Sequence, residues 1–163
     1  MTDADVAYHA LVERLRGRQV TSVRIFLFTL QIYLASHNAD DRNLEIWCEP
    51  NWHVRIGVRI VTGSGAIEAP STFDDAAEVE RASATIRCAS DAAQVLVGKV
   101  LTSVHVDPVT YALVASFDDG IVVATVMDDP DISTAWVLRD PHLAMAVRGT
   151  PLGMMIGIRE PRK

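Results

Sequence analysis

One nine-residue segment occurs twice in this chain. Leu15-Arg16-Gly17-Arg18-Gln19-Val20-Thr21-Ser22-Val23 aligns without a gap on Leu96-Val97-Gly98-Lys99-Val100-Leu101-Thr102-Ser103-Val104, with five identical positions, and the Arg18/Lys99 and Val20/Leu101 pairs keep their chemistry. Three further matches follow in the same order: Leu30 to Leu34 with Leu113 to Phe117, Leu44 to Trp47 with Ile121 to Ala124, and Trp52 to Arg55 with Trp136 to Arg139. Such recurrence restricts the fold to a repeated unit. Each unit reads as a helix, a glycine stop, a strand, a hairpin, and a last strand that opens with Trp and closes with Arg. Neither unit has enough strands to bury both faces, so the chain is expected to be α+β, with two related helix-plus-antiparallel-strand halves packed with pseudo-twofold symmetry. The sequence leaves open whether they form one sheet or two. The expected division is 1–65 for the first half, 66–95 for a helical linker region and 96–163 for the second half, in one compact unit.

Local patterns support this plan. After the N-capping residues Thr2 and Asp3, the spacing of Tyr8, Leu11, Val12 and Leu15 predicts an amphipathic helix ended by Gly17. Val20 to Leu27 and Thr29 to Ala35 carry the β-branched and aromatic residues of strands, and His37 to Asn43 reads as a hairpin loop. Leu44 to Trp47 returns as a strand, and Trp52 to Thr62 continues extended up to Gly63-Ser64-Gly65. Ser71-Thr72 and Asp74-Asp75 start a helix expected from Phe73 to about Ala84, although Ala84 to Cys88 is also compatible with a strand. A second, short helix is expected from Ser90-Asp91 to Gly98. Tyr111 to Phe117 and Ile121 to Met127 flank Asp118-Asp119-Gly120, the composition of a tight hairpin turn. The glycine- and methionine-rich tail from Pro141 is compatible with a strand or a loop.

Charge and composition exclude whole classes of function. At 163 residues the chain can remove roughly 70% of its unfolded surface from water. Fifteen basic against twenty-one acidic residues give a net charge of −6, which opposes attraction to phosphate backbones and anionic lipid. Nucleic acid and membranes are therefore not expected partners. The most apolar stretch, Val23 to Ala35, is too short and too interrupted by Arg24 and Gln31 to span a bilayer. Two cysteines, Cys48 and Cys88, make no disulfide framework and read as small buried hydrophobes in a reducing compartment. The acidic start Met1-Thr2-Asp3-Ala4-Asp5 lacks the pattern of a signal peptide, so a cytoplasmic location is expected.

No constellation for catalysis, a cofactor or a metal emerges. The five histidines are dispersed, and Cys48 with His53 supplies two ligands where a zinc site needs more. Asp128-Asp129-Pro130-Asp131 lacks the central glycine and distal glutamate of a calcium loop. There is no Gly-x-Ser-x-Gly elbow, and Gly63-Ser64-Gly65 lacks the lysine of a phosphate loop. Trp52 and Trp136 occupy matching places, as repeated core elements would. The acidic residues Asp118, Asp119, Asp128, Asp129 and Asp131 read as solvated turns or, in a binding protein, as a contact edge that steers a basic partner. Asp40-Asp41 is the matching acidic loop of the first half.

The elements Trp52-His53-Val54, Gly63-Ser64, Leu96-Val97-Gly98-Lys99-Val100-Leu101, Ala115 to Gly120 and Trp136-Val137-Leu138 resemble the pattern of a loose group of small uncharacterised bacterial proteins. In that group a Trp-led strand, a Gly-Ser turn, a helix ending in Leu-x-Gly-x-x-Val, an Asp-Gly hairpin and a Trp-x-Leu strand follow one another. His53 stands where Arg is usual, and the hairpin has an extra Asp. The resemblance implies an accessory or immunity protein of a contact-dependent toxin system, and it brings no catalytic residues. The leading expectation is thus a non-enzymatic binding protein that masks a bacterial toxin domain. The alternatives are a small-molecule-binding domain or enzyme with a pocket between the halves near the paired tryptophans, and a homodimerisation module.

Overall fold

The structure is a computed structural model that describes residues 1–36, 43–127 and 134–158. Helix α1 (Asp3–Leu15) starts with a capping box, in which the Asp5 amide donates to Thr2 Oγ1 and the Thr2 amide to Asp5 Oδ2. It buries Ala4, Ala7, Tyr8, Leu11 and Leu15, and Gly17 follows its C-cap with φ +76°. Strands β1 (Val20–Phe26), β2 (Thr29–Leu34) and β3 (Leu44–Cys48) form an antiparallel meander, and β4 (Trp52–Ile56) and β5 (Arg59–Gly63) a hairpin. After helix α2 (Ala76–Ala93), β6 (Leu101–Val106), β7 (Leu113–Phe117) and β8 (Ile121–Thr125) form a second meander. Strands β9 (Trp136–Asp140), β10 (Met145–Thr150) and β11 (Gly153–Ile158) are the last elements among the described residues.

Two helices and eleven strands, arranged in two antiparallel sheets, make the fold α+β among the described residues. The order is β1-β2-β3-β9-β10-β11 in one sheet and β5-β4-β8-β7-β6 in the other. Each sheet therefore joins a meander from one half of the chain to strands from the other half. Burial alternates along β2, β3, β7, β8 and β9, and the inward residues of both sheets belong to one core that includes Ile32, Ile46, Leu138, Val54 and Val123. Each such side chain removed from water contributes about 1.5–3 kcal/mol, which fixes register because a one-residue slip would turn the whole set outward. Helix α1 packs on β9, β10, β11 and β6, and α2 on β1 and β5.

The sheets meet where the repeated segments meet. Gln19 and Val100 form an antiparallel bridge. Around it, Val20 N–H donates to Lys99 C=O (2.7 Å) and Leu101 N–H to Arg18 C=O (2.9 Å), while Gly17 N–H donates to Leu101 C=O (2.8 Å) and Gly98 N–H to Val20 C=O (2.9 Å). Aligned side chains also make matching bonds: Thr21 Oγ1 to Tyr33 C=O and Thr102 Oγ1 to Ser116 C=O, then Trp52 Nε1 to Phe28 C=O and Trp136 Nε1 to Tyr111 C=O.

Three local expectations need correction, and the strand-or-loop alternative for the tail resolves to strand. The segment read as two helices with a possible strand between them is one continuous α2. It is capped by Asp75, whose carboxylate accepts from the Ala77 and Glu78 amides. Alanine-rich sequence carries the helix through Thr85-Ile86, and Thr85 Oγ1 satisfies itself on the Ala82 carbonyl. Trp52 to Thr62 is two strands, folded back at Gly57 with φ +57°. The tail contributes two strands, β10 and β11. Cys88 is exposed on α2 while Cys48 is buried. The loop containing Asp40-Asp41 lies outside the described residues.

Candidate functional site

The acidic residues singled out in the sequence divide into two groups. Asp128, Asp129 and Asp131 lie outside the described residues. Asp118 and Asp119 form the β7–β8 turn, where Asp119 (φ +56°) and Gly120 (φ +70°) supply the left-handed pair that a tight hairpin requires. Both carboxylates have local partners. Asp118 exchanges backbone and side-chain bonds with Val100 at 3.0 Å, and Asp119 pairs with the Lys99 ammonium. That hydrogen bond and charge hold Lys99 above the usual lysine range. The Asp119 side chain remains mostly exposed, so its contribution to long-range attraction is screened by water and salt.

The tryptophans at matching places are core. Trp52 and Trp136 are buried, and Trp136 lies against Tyr8 of α1 with ring centroids 6.4 Å apart. Their indole N–H groups are both satisfied by backbone carbonyls, as the burial of a polar tip demands. Cys48 is also core: burial, assisted by the charge of Glu49, pushes its thiol up to about 12, so it stays protonated at neutral pH. Iodoacetamide is therefore expected to label one cysteine of the native protein, Cys88, and to reach Cys48 only after unfolding. Peptide mapping that finds native-state label on Cys48 would contradict its burial.

A feature with room for a ligand lies on the outer edge of β1. An open groove of about 540 Å³ is lined by Val23, Arg24, Ile25 and Phe26 of β1, Gln31 of β2 and Ser90 of α2. Because four consecutive β1 residues line it, the groove follows the strand's free edge and takes in both faces. Phe26 is 67% exposed, and so is most of Leu27, which sits in the β1–β2 turn at φ +55°. A non-glycine residue in that region costs about 1–2 kcal/mol, and two-residue hairpin turns normally select Asn-Gly or Asp-Gly. Here the turn carries Leu27-Phe28 instead. A bulky apolar side chain in a strained, exposed turn is an outlier of the kind found at binding surfaces.

Arg24 and Gln31 of the groove belong to the outward face of the same sheet. Register places Arg24, Gln31, Trp47, Val137 and Arg148 in one row and Tyr33, Glu45, Arg139 and Ala146 in the next. Arg139 bonds Glu45 at 3.1 Å and lies over the Trp47 ring. Arg24 lies over the Tyr33 ring, 5.8 Å from its centroid, and among the described residues it pairs with no carboxylate. Composition and spacing did not single out this edge. Its one legible sign is the run Ile25-Phe26-Leu27-Phe28, which carries apolar residues straight through a turn.

Among the described residues, no three His, Cys, Asp or Glu side chains converge as a metal site, and no helix is long and apolar enough to cross a membrane. Comparisons with protein-family models, curated proteins and solved structures return no match.

Proposed function

We propose that this protein is a non-enzymatic binding protein, of the kind that masks a bacterial toxin domain as an immunity or accessory protein, and that it engages its partner at the β1 edge. The observation that carries this reading is the groove along β1, with Phe26 and Leu27 exposed at its end and Arg24 without a carboxylate partner among the described residues. Exposed aromatic and apolar anchors beside a cation are the composition of binding hot spots. The net charge of −6 favours a basic partner at long range and sets association rate more than final affinity. An internal duplication with pseudo-twofold relation is part of the same proposal. It is supported by the bridge between the aligned Gln19 and Val100 and by the matching hydrogen bonds around it.

The test is reconstitution with the C-terminal domain of a secreted protein encoded by the preceding gene. Co-expression should relieve growth inhibition, and the two chains should elute as one complex. Leu27→Gly removes an apolar contact and the strain of the turn together. It is expected to raise the midpoint of urea unfolding by the equivalent of about 0.5–1 kcal/mol while weakening the complex at least tenfold. A preceding gene for a metabolic enzyme and no complex in gel filtration would remove the support for this reading.

A further inference from the structure

The two halves differ most usefully at their first strands. In β6, the Tyr8 hydroxyl of α1 donates to the Val104 carbonyl at 3.2 Å, and the buried Tyr8 ring covers that edge. In β1, the aligned carbonyl is that of Val23. Extending the repeat alignment back without a gap places Ala89 of α2 where Tyr8 stands in α1. Alanine reaches no carbonyl, and an open groove lined by Val23 to Phe26, Gln31 and Ser90 runs along β1. What approaches Val23 C=O is the exposed Gln94 side chain, at 3.5 Å, the outer limit of a hydrogen bond.

Strand geometry then specifies what the groove offers. Gln94 reaches Val23 from the side away from β2, so Val23 and Ile25 turn their N–H and C=O groups toward the free edge, while the alternating residues bond β2. Unpaired edge groups template another strand, and proteins that do not use such an edge blunt it with lysine, proline or a bulge. Here the exposed end of the edge carries Phe26 and Leu27. A strand added about 4.8 Å from β1 would place one side chain across from Arg24 and the next outward one across from Phe26.

We propose that the free edge of β1 takes an extended segment of a partner protein as an added strand, with a carboxylate facing Arg24 and an apolar side chain facing Phe26. This rests on the binding reading above and specifies its mode. The segment displaces Gln94 from Val23 and gains the main-chain bonds of Val23 and Ile25. Register and direction come from the backbone, and selectivity from Arg24, Gln31 and Phe26. This is strand addition, in which main-chain bonds give affinity and alternate side chains give specificity.

The probe is an end-capped octapeptide whose one face alternates Val and Glu while the other carries Thr, so that a carboxylate can face Arg24 and an apolar side chain Phe26. This Val/Glu peptide is compared with its Val/Lys counterpart, each titrated into the isotope-labelled full chain. At saturation, the Val23 and Ile25 amides should exchange at least tenfold more slowly, and the Val/Lys peptide should bind at least tenfold more weakly. Arg24→Glu should reverse the preference between the peptides. Ile25→Pro removes an N–H aimed at the groove and leaves the β2 ladder intact, so it should abolish binding. Its thermal unfolding is checked first, and if it fails to fold, the Arg24→Glu reversal decides. Equal binding of the two peptides, amide changes away from β1, or wild-type binding by a folded Ile25→Pro variant would overturn strand addition. A stable toxin complex that is indifferent to Ile25→Pro and Arg24→Glu would reject this mode and leave the binding reading standing. Peptide selectivity without any toxin complex would do the reverse.

Discussion

Gly149→Ala should be among the most damaging single changes available in this protein. Gly149 pairs with Trp136 across β9 and β10, and a Cβ at that position would overlap the Trp136 indole. Trp136 has no room to retreat: it is fully buried, Tyr8 lies against it, and its Nε1 is tied to the Tyr111 carbonyl at 2.7 Å. Overpacking a closed core costs about 1–3 kcal/mol, occasionally more, and the anchored ring places this site at the upper end. Chemical denaturation should show a loss of about 3 kcal/mol, equivalent to a fall in Tm of roughly 6–12 °C for a domain of this size. Trp136→Ala alone should cost about 3–5 kcal/mol. The Gly149→Ala/Trp136→Ala double variant should lose less than the sum of the two, because the added methyl occupies space the indole has left. Additive losses would mean that the overlap is relieved by backbone movement.

The second large effect is expected at Asp140, whose carboxylate is completely buried at the end of β9. It accepts from Arg14 Nε of α1 at 2.5 Å and from the amides of His142 and Leu143 at 2.9 and 3.3 Å. One side chain thus anchors α1 to the sheet and turns the chain from β9 toward β10. Removing one member of a buried ion pair typically costs 3–5 kcal/mol, but the Arg14 side chain is 33% exposed and can recover solvent. Asp140→Ala is therefore expected to cost about 2–4 kcal/mol, with the loss coming from two stranded amides as well as from Arg14. Arg14→Met should cost a comparable amount, since it leaves a fully buried carboxylate held by two amides without its cation. Urea midpoints of the two variants and of their double mutant measure the coupling. An Asp140→Ala variant as stable as the parent would show that α1 docks through its apolar face alone.

Both residues illustrate why part of the molecule is hidden in a linear reading. Gly149 stands in a glycine-rich tail compatible with a strand or a loop, and it is buried where an indole from another strand requires the absence of a side chain. Asp140 looks like one more acidic loop residue, and its partner Arg14 is far away in the chain. The groove of the candidate site has the same character. It is lined by Val23 to Phe26, Gln31 and Ser90, which only the packing of α2 on β1 brings together.

The sequence by itself determined what depends on neighbours along the chain. The Thr2 cap and the apolar spacing of Tyr8, Leu11 and Leu15 specify α1, and Gly17 and Gly98 meet the positive-φ requirement after each helix. β-Branched and aromatic residues specify β2, apolar runs specify β7 and β8, and Asp119-Gly120 the turn between the last two. Each of these follows from steric and hydrogen-bonding preferences that act over a few residues. Tertiary structure decided which strands are neighbours, because nothing local distinguishes β3 pairing with β9 from β3 pairing with β4. Burial of two inner faces in one core places β9 beside β3 and β4 beside β8, so that each sheet takes strands from both halves. Pairing across the chain also leaves β1 at the end of its sheet, with Tyr8 sealing the matching edge of β6 and a groove remaining along β1. Free edges are products of strand order, and strand order is set by the collective burial of the core rather than by any single stretch of sequence.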